Sequence, residues 1–439
     1  MITIDSLLHP DWIFCVDDEN TVLENHSLAI DKGKILDLLP RSEAGQKYTA
    51  NHVHELAGHA LIPGLVNSHT HAPMNLFRGL ADDLPLMQWL EQHIWPAEQK
   101  WVSREFVRDG TRLAIAEMLR SGTTCFNDMY FFPDVVAEEA QHAGIRASIG
   151  LIVIDFPTVW ANDADEYIAK GLQLHEAIKD EPLLSTALAP HAPYTVSDAP
   201  LTELVRIGQE TGIPLHMHIH ETAGEIDMAV AQTGLRPMQR LDKLDVLSPQ
   251  LMAVHMTQLE DDEIALLAQR GCHVLHCPES NLKLASGFCP VQSLLDAGIN
   301  VALGTDGAAS NNDLDMLGEM RTAALLAKAV ANDARAVAAG TALRMATING
   351  ARALGLDAVT GSLEVGKYAD ITAIKLDSLE TQPVYDPVSQ LVYAAGREHV
   401  THVWVAGRHL LDNSSLVEKD EAALLKIAQM WQQRIAGSR

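Results

Sequence analysis

Basic residues are scarce in this chain. Lys and Arg total 32 against 58 Asp and Glu, a formal net charge of −26 over 439 residues. A surface this acidic repels phosphate backbones and anionic headgroups, which argues against nucleic-acid binding and against docking on anionic membranes. Cysteine is scarce too. Cys15, Cys125, Cys272, Cys277 and Cys289 contain no CxxC pair and make no disulfide framework. Each reads as a small buried hydrophobe, and reducing cytoplasm is the expected compartment. No apolar run approaches the roughly 20 residues that span a bilayer. The opening MITIDSLLHPDW lacks the basic and apolar segments of a secretory signal. Fixed-period repeats and low-complexity tracts are also missing.

What is present is 47% hydrophobic residues, enough to bury a large core. The length exceeds one ordinary domain but suits a large barrel with a small partner. Residues 1–61 read as short β segments, TIDSLLH, DWIFCVD, SLAIDKGKILDLL and HVHELAGHAL, separated by Asp, Asn and Gly. Across 62–360, short apolar runs alternate with helix-length amphipathic stretches. Eight candidate strands can be counted there: LIPGLVNSH, TTCFNDM, RASIGLIVI, LSTALAPH, PLHMHIH, LMAVHM, HVLHC and NVALGTD. Helix signals fall between them. Ser103 precedes one helix and Gly122 follows it; Asp261 and Asp262 open another and Gly271 ends it. Residues 361–439 return to β character in GSLEVGKYADITAIKL and HVTHVWVAGRHLL, before a polar helix, AALLKIAQMWQQR. The expected architecture is α/β: a (β/α)8 TIM-like barrel over 62–360, with 1–61 and 361–439 pairing into one small composite β-sandwich.

Such barrels carry their chemistry at the C-terminal ends of the strands. Those ends hold His69 and His71, then His191, then His216, His218 and His220 with Glu221 beyond, then His255, His276 and Asp306. His69 and His71, two apart on a strand, point to the same side. Two converging imidazoles suit a divalent metal, and the His and Asp of later strands strengthen that reading. Period two also puts His216, His218 and His220 on one face. The rim position favours His218, leaving His216 as deeper filler and His220 as a rim residue. Glu221, three residues past His218, is placed to move protons. Three His and one Asp match catalytic zinc with a position left open, and the carboxylate also tolerates iron or manganese. A metal there would make water a nucleophile, so hydrolysis is the expected reaction.

PGLVNSHTH, HIHETAGE, His255 and GTDGAASNN, in that order, resemble the markers of the amidohydrolase superfamily of metal-dependent barrels. NGARALGLDAVTGSLEVGKYADITAI looks like the segment that returns such a barrel to its β-sandwich. HTHAPMNLFRGLADDLPLMQWLEQHIWPAE resembles the aminohydrolase branch acting on adenine nucleosides and related heterocycles. That resemblance implies a hydrolytic deaminase of substrates such as 5′-methylthioadenosine and S-adenosylhomocysteine, with guanine, cytosine or s-triazine rings as the alternative. It implies metal binding by His69, His71, His218 and Asp306, proton handling by Glu221, His255 and Asp306, ribose binding by Glu98 in WPAE, and substrate contact by His191. Strand four lacks the bridging Lys of binuclear members, so one divalent metal per chain is expected.

Arg146 stands at the start of strand three, away from the rim, and the next Arg is Arg206. No guanidinium is thus placed for a homocysteine carboxylate, and an apolar 5′ group is preferred. Trp89, Trp95 and Trp101 fit either a substrate lid or helix packing. Cys277 and Met256 read as packing, and 162–167 as a solvated loop or helix start. HCPES lacks the second Cys of the other zinc deaminase class. The implied partner is a small-molecule nucleoside; homo-oligomerisation stays open.

Overall fold

The structure, a computed structural model, describes residues 1–417 and 419–437. All eight expected barrel strands are present: Leu65–Thr70, Thr123–Met129, Arg146–Val153, Leu184–Pro190, Leu215–Ile219, Leu251–His255, His273–His276 and Asn300–Leu303. They pair in parallel in sequence order. The second and third are buried at every residue. A parallel sheet is covered on both faces, so even the polar residues of these strands, among them Thr123, Asn127, Asp128 and Arg146, are buried.

The seam between the last and first strands is stitched largely by side chains. Asn67 Oδ1 accepts from Thr305 N–H at 3.0 Å, and Ser68 Oγ donates to the Leu303 carbonyl. One backbone bond completes it, from Asp306 N–H to the His69 carbonyl at 3.0 Å.

Helix caps follow the sequence signals. Ser103 Oγ accepts from Phe106 N–H ahead of Arg104–Arg120, and Gly122 beyond it adopts φ +89°. Asp163 caps Ala164–Ile178, so 162–167 is a helix start, and Tyr167 is buried rather than solvated. Asp261 and Asp262 lie in the first turn of Asp261–Arg270, with Glu260 as the cap.

Both chain ends build one mixed nine-stranded, sandwich-like sheet. Its main path runs Ser415–Leu416, Arg408–Asp412, Val400–Val405, Ile371–Lys375, Tyr48–Pro63, Ile2–Phe14, His26–Asp31 and Lys34–Pro40. TIDSLLH and DWIFCVD, which read as two segments, form a single strand. Its register shifts between Pro10 and Trp12, where Asp11 accepts the Gly58 N–H at 2.9 Å. A bulge absorbs the proline without ending the strand.

Arg146 joins the two sheets. Its Nε donates to Asp370 Oδ2 at 2.9 Å, and both side chains are almost fully buried. Asp370 also accepts from Thr360 Oγ1 at 2.7 Å and from Ala406 N–H at 2.6 Å.

Candidate metal centre and active-site cavity

His69, His71, His218 and Asp306 converge at the C-terminal mouth of the barrel, with one ligand atom from each within 4.8 Å of the others. Asp306 Oδ1 lies 3.3 Å from His69 Nε2 and 3.2 Å from His71 Nε2, and His69 Nε2 lies 3.2 Å from His218 Nε2. The approach depends on Gly304, where a Cβ would sit 2.7 Å from the His69 backbone nitrogen. Asp306 itself adopts φ +61°, which turns its carboxylate across the barrel mouth.

Each imidazole is held from behind through its other nitrogen. His71 Nδ1 faces the Met129 carbonyl at 2.5 Å, and His218 Nδ1 the His191 carbonyl at 2.6 Å. His69 Nδ1 lies 2.9 Å from His216 Nε2, and His216 in turn meets Asn127. Such outer contacts fix the tautomer that leaves Nε2 free for a metal. Ser280 Oγ and Ser310 Oγ donate to the second Asp306 oxygen at 2.7 and 2.8 Å.

Burial alone would raise Asp306, but the His69 and His71 bonds outweigh it and hold the carboxyl well below its usual range. Burial pushes His218 well down, with the neighbouring imidazoles adding to it, so its ring is neutral at pH 7. A carboxylate among buried imidazoles suits a divalent cation in donor type and number.

Glu221 sits just past the fifth strand and is buried. Burial, the Asp306 charge and the Glu225 charge push its carboxyl well above the usual range, which favours the protonated form. Glu225 accepts the His220 and Glu221 N–H groups at 3.2 and 2.8 Å and fixes the turn that carries Glu221. His255 Nε2 stands 3.7 Å from Glu221 Oε2. Its Nδ1 meets Asn281 at 3.0 Å, its ring stacks on His218, and burial lowers it to about 3.

A cavity of about 650 Å³ opens from this cluster, within the range of small-molecule sites. His71, His218, Glu221, His255 and Asp306 form its floor, with Glu98, Tyr130 and His191 on the walls. Burial raises Glu98 to about 7, against the opposing pull of Tyr130 and His71. Burial lowers His191 to about 3, and Thr195 Oγ1 lies 3.1 Å from its Nδ1. The outer wall is apolar, with Ile152 from the end of strand three and Ile154, Phe156, Pro157 and Val159 from the segment after it. Among the described residues, no Arg or Lys lines the cavity.

Seven of the eight expected site residues therefore line one cavity, and His69, fully buried, joins them through the ligand cluster. His216 lies below the cluster, as its deeper position suggested. His220 departs from the expected common face. It falls beyond the strand end at φ +54°, and its Nε2 accepts from Met238 N–H at 3.3 Å while Nδ1 lies 3.7 Å from Glu263. Trp89 and Trp95 line the cavity, whereas Trp101 packs edge-on against Trp431. Cys277 and Met256 are fully buried and do not line it. Ser280, Asn281, Ser310 and Tyr130 escaped the sequence reading. The first two follow strand seven directly in HCPESN, and that position was the available signal.

Comparison with known proteins places this geometry. Residues 60–410 match the Amidohydrolase family. A 5-methylthioadenosine/S-adenosylhomocysteine deaminase of Teredinibacter turnerae is 48% identical, covering 100% of this chain and 99% of its own length. A protein of the same description from Saccharophagus degradans is also 48% identical, over 99% of this chain and 98% of its own. The crystal structure of an adenosine deaminase from Xanthomonas campestris with bound zinc is 52% identical, with a TM-score of 0.98 and 99% of each chain covered. With the ligand cluster, the barrel and these matches in agreement, the chain belongs to the amidohydrolase family.

Proposed function

We propose that the protein is a metal-dependent hydrolytic deaminase of adenine nucleosides, 5′-methylthioadenosine and S-adenosylhomocysteine among them, releasing ammonia and the inosine analogue. Residues 62–360 form the catalytic barrel, and 1–61 with 361–439 the supporting sandwich. The compartment is reducing cytoplasm. The observation that carries the reading is the buried Glu221 beside the His–His–His–Asp cluster, facing Glu98 across one cavity.

His69, His71, His218 and Asp306 would hold one divalent metal per active site, zinc by donor type. When bound, that metal supplies the Lewis acidity that makes water nucleophilic at neutral pH. Asp306 and His255 orient the attacking water and take its proton. Attack falls on C6, the carbon bearing the exocyclic amine. Glu221 gives its proton to the adjacent ring nitrogen, which lets the ring accept the electron pair. Return of a proton to the amine then expels ammonia. Glu98 accepts bonds from the ribose hydroxyls, and His191, a neutral imidazole, contacts the base. A free base would leave the Glu98 carboxylate without a hydroxyl partner, which disfavours guanine, cytosine or s-triazine rings.

The apolar wall from Ile152 to Val159 accommodates a 5′ thioether. Burial there contributes roughly 0.8 kcal/mol per CH₂. A homocysteine carboxylate meets no guanidinium, since Arg146 is committed to Asp370 at the far side of the barrel. Ammonia release should be compared across 5′-methylthioadenosine, S-adenosylhomocysteine, adenosine, adenine and guanine. The expected order puts 5′-methylthioadenosine first in kcat/KM. A preference for a free base overturns the nucleoside reading.

A further inference from the structure

A second set of metal-type donors lies on the small sheet. His402 belongs to Val400–Val405, and His409 and Asp412 belong to the neighbouring antiparallel strand Arg408–Asp412. One ligand atom from each lies within 4.8 Å of the others. His402 Nε2 is 3.3 Å from Asp412 Oδ1. The rings of His402 and His409 stand 5.6 Å apart at 11°. In the barrel cluster, His71 and His218 stand 5.3 Å apart at 31°, so the spacing of two imidazoles sharing one centre is matched.

Two further observations point to a missing partner. His409 Nε2 is buried and makes no hydrogen bond. A buried polar atom left unpaired costs free energy, and a bound ion is one of the few things that repays it. The neighbourhood is also crowded with imidazole. His54 lies 5.0 Å from His409 and His59 lies 6.1 Å from His402, ring to ring, both on Tyr48–Pro63. Burial holds His402 and His409 near 4, with the neighbouring rings adding to it, so both are neutral at pH 7. Neutral imidazole is the form a metal binds. No acid–base task accounts for such a cluster, because it lies on the other sheet from the barrel mouth.

We infer that His402, His409 and Asp412 form a second divalent transition-metal site, of the zinc class, which cross-links the two strands of the Val400–Asp412 hairpin. Two imidazoles and one carboxylate favour zinc, nickel or copper over calcium or magnesium, which take oxygen donors. The Asp412 side chain is 52% exposed, so the ion enters from solvent without passing through the barrel. Its role is structural. An ion that binds only the folded hairpin raises the stability of the small sheet by mass action.

Equilibrium dialysis of the purified, metal-loaded enzyme against Zn²⁺ tests this. Wild-type protein should take up one further equivalent beyond its as-purified content, with a rise in melting temperature. His409→Asn and Asp412→Asn should each weaken that equivalent by at least about tenfold, the lower bound for disturbing even an outer partner of a metal. Deaminase activity should be unchanged in both. Asp412→Asn alters an exposed side chain at a strand end, so it decides the matter if His409→Asn fails to fold. A wild-type chain that takes up no further Zn²⁺ overturns the proposal. So does an Asp412→Asn chain that binds the extra equivalent as tightly as wild type.

Discussion

Glu221→Gln separates proton transfer from metal binding. Burial and the charges of Asp306 and Glu225 oppose ionisation of the Glu221 carboxyl and raise it well above the usual range. Glutamine matches the protonated form of that carboxyl in charge and nearly in shape. The ligand cluster keeps its net charge, and Asp306 keeps its bonds from Ser280 and Ser310. What is lost is a transferable proton. A positioned general acid is worth about 10²- to 10⁴-fold, or about 3 to 5 kcal/mol of barrier. The expected variant has wild-type metal content, with kcat down by that factor. Metal content by elemental analysis and single-turnover ammonia release, measured on the same preparation, check both halves. A kcat within tenfold of wild type would refute the proton role. Loss of metal with activity restored by added metal would show that Glu221 serves the metal instead.

Other expectations follow from named contacts. Asp306→Asn removes the anion that lies 3.2–3.3 Å from two imidazoles, and metal content after gel filtration should fall to near zero. Glu98 is raised to about 7, so it is neutral below that pH and ionised above it. KM for a nucleoside should therefore fall as pH rises from 6 to 8, while KM for a 2′,3′-dideoxy analogue stays flat. Phe156→Arg places a guanidinium on the apolar wall, and the ratio of kcat/KM for S-adenosylhomocysteine to that for 5′-methylthioadenosine should rise at least about tenfold, as one charge-assisted bond is worth about 1.5–3 kcal/mol. Arg146→Met strands the Asp370 carboxylate, itself fully buried, and should cost about 3–5 kcal/mol in denaturant unfolding.

Much of this molecule could be read from its residues, and the exceptions have local causes. The barrel strands were legible because short apolar segments alternate with helix-length stretches, and six of the eight carry a His or Asp at or just past their end. His69 and His71 were legible because a strand's period of two aims them together. His220 was misplaced because that period stops where the strand stops, and a positive φ turned the chain one residue later. Pro10 suggested a break that a register shift absorbed. Ser280, Asn281 and Ser310 carry no periodic signal. They act by reaching Asp306 and His255 across loops far apart in sequence, which only the closed barrel brings together.

The seam of the barrel also orders events during synthesis. Strand one emerges from the ribosome early, carrying His69 and His71, yet its neighbour across the seam lies more than two hundred positions later. Thr70 donates to the Asp306 carbonyl over a separation of 236 residues. A nascent chain therefore displays two imidazoles with no carboxylate to complete them until the eighth strand arrives. Contacts of such long range form late and slowly. Metal capture in its final geometry must follow barrel closure, so the ion seals a finished fold and cannot template an early one. Chains stalled before residue 306 should hold metal loosely, whatever their helical content, and truncated products would be recognisable by that defect alone.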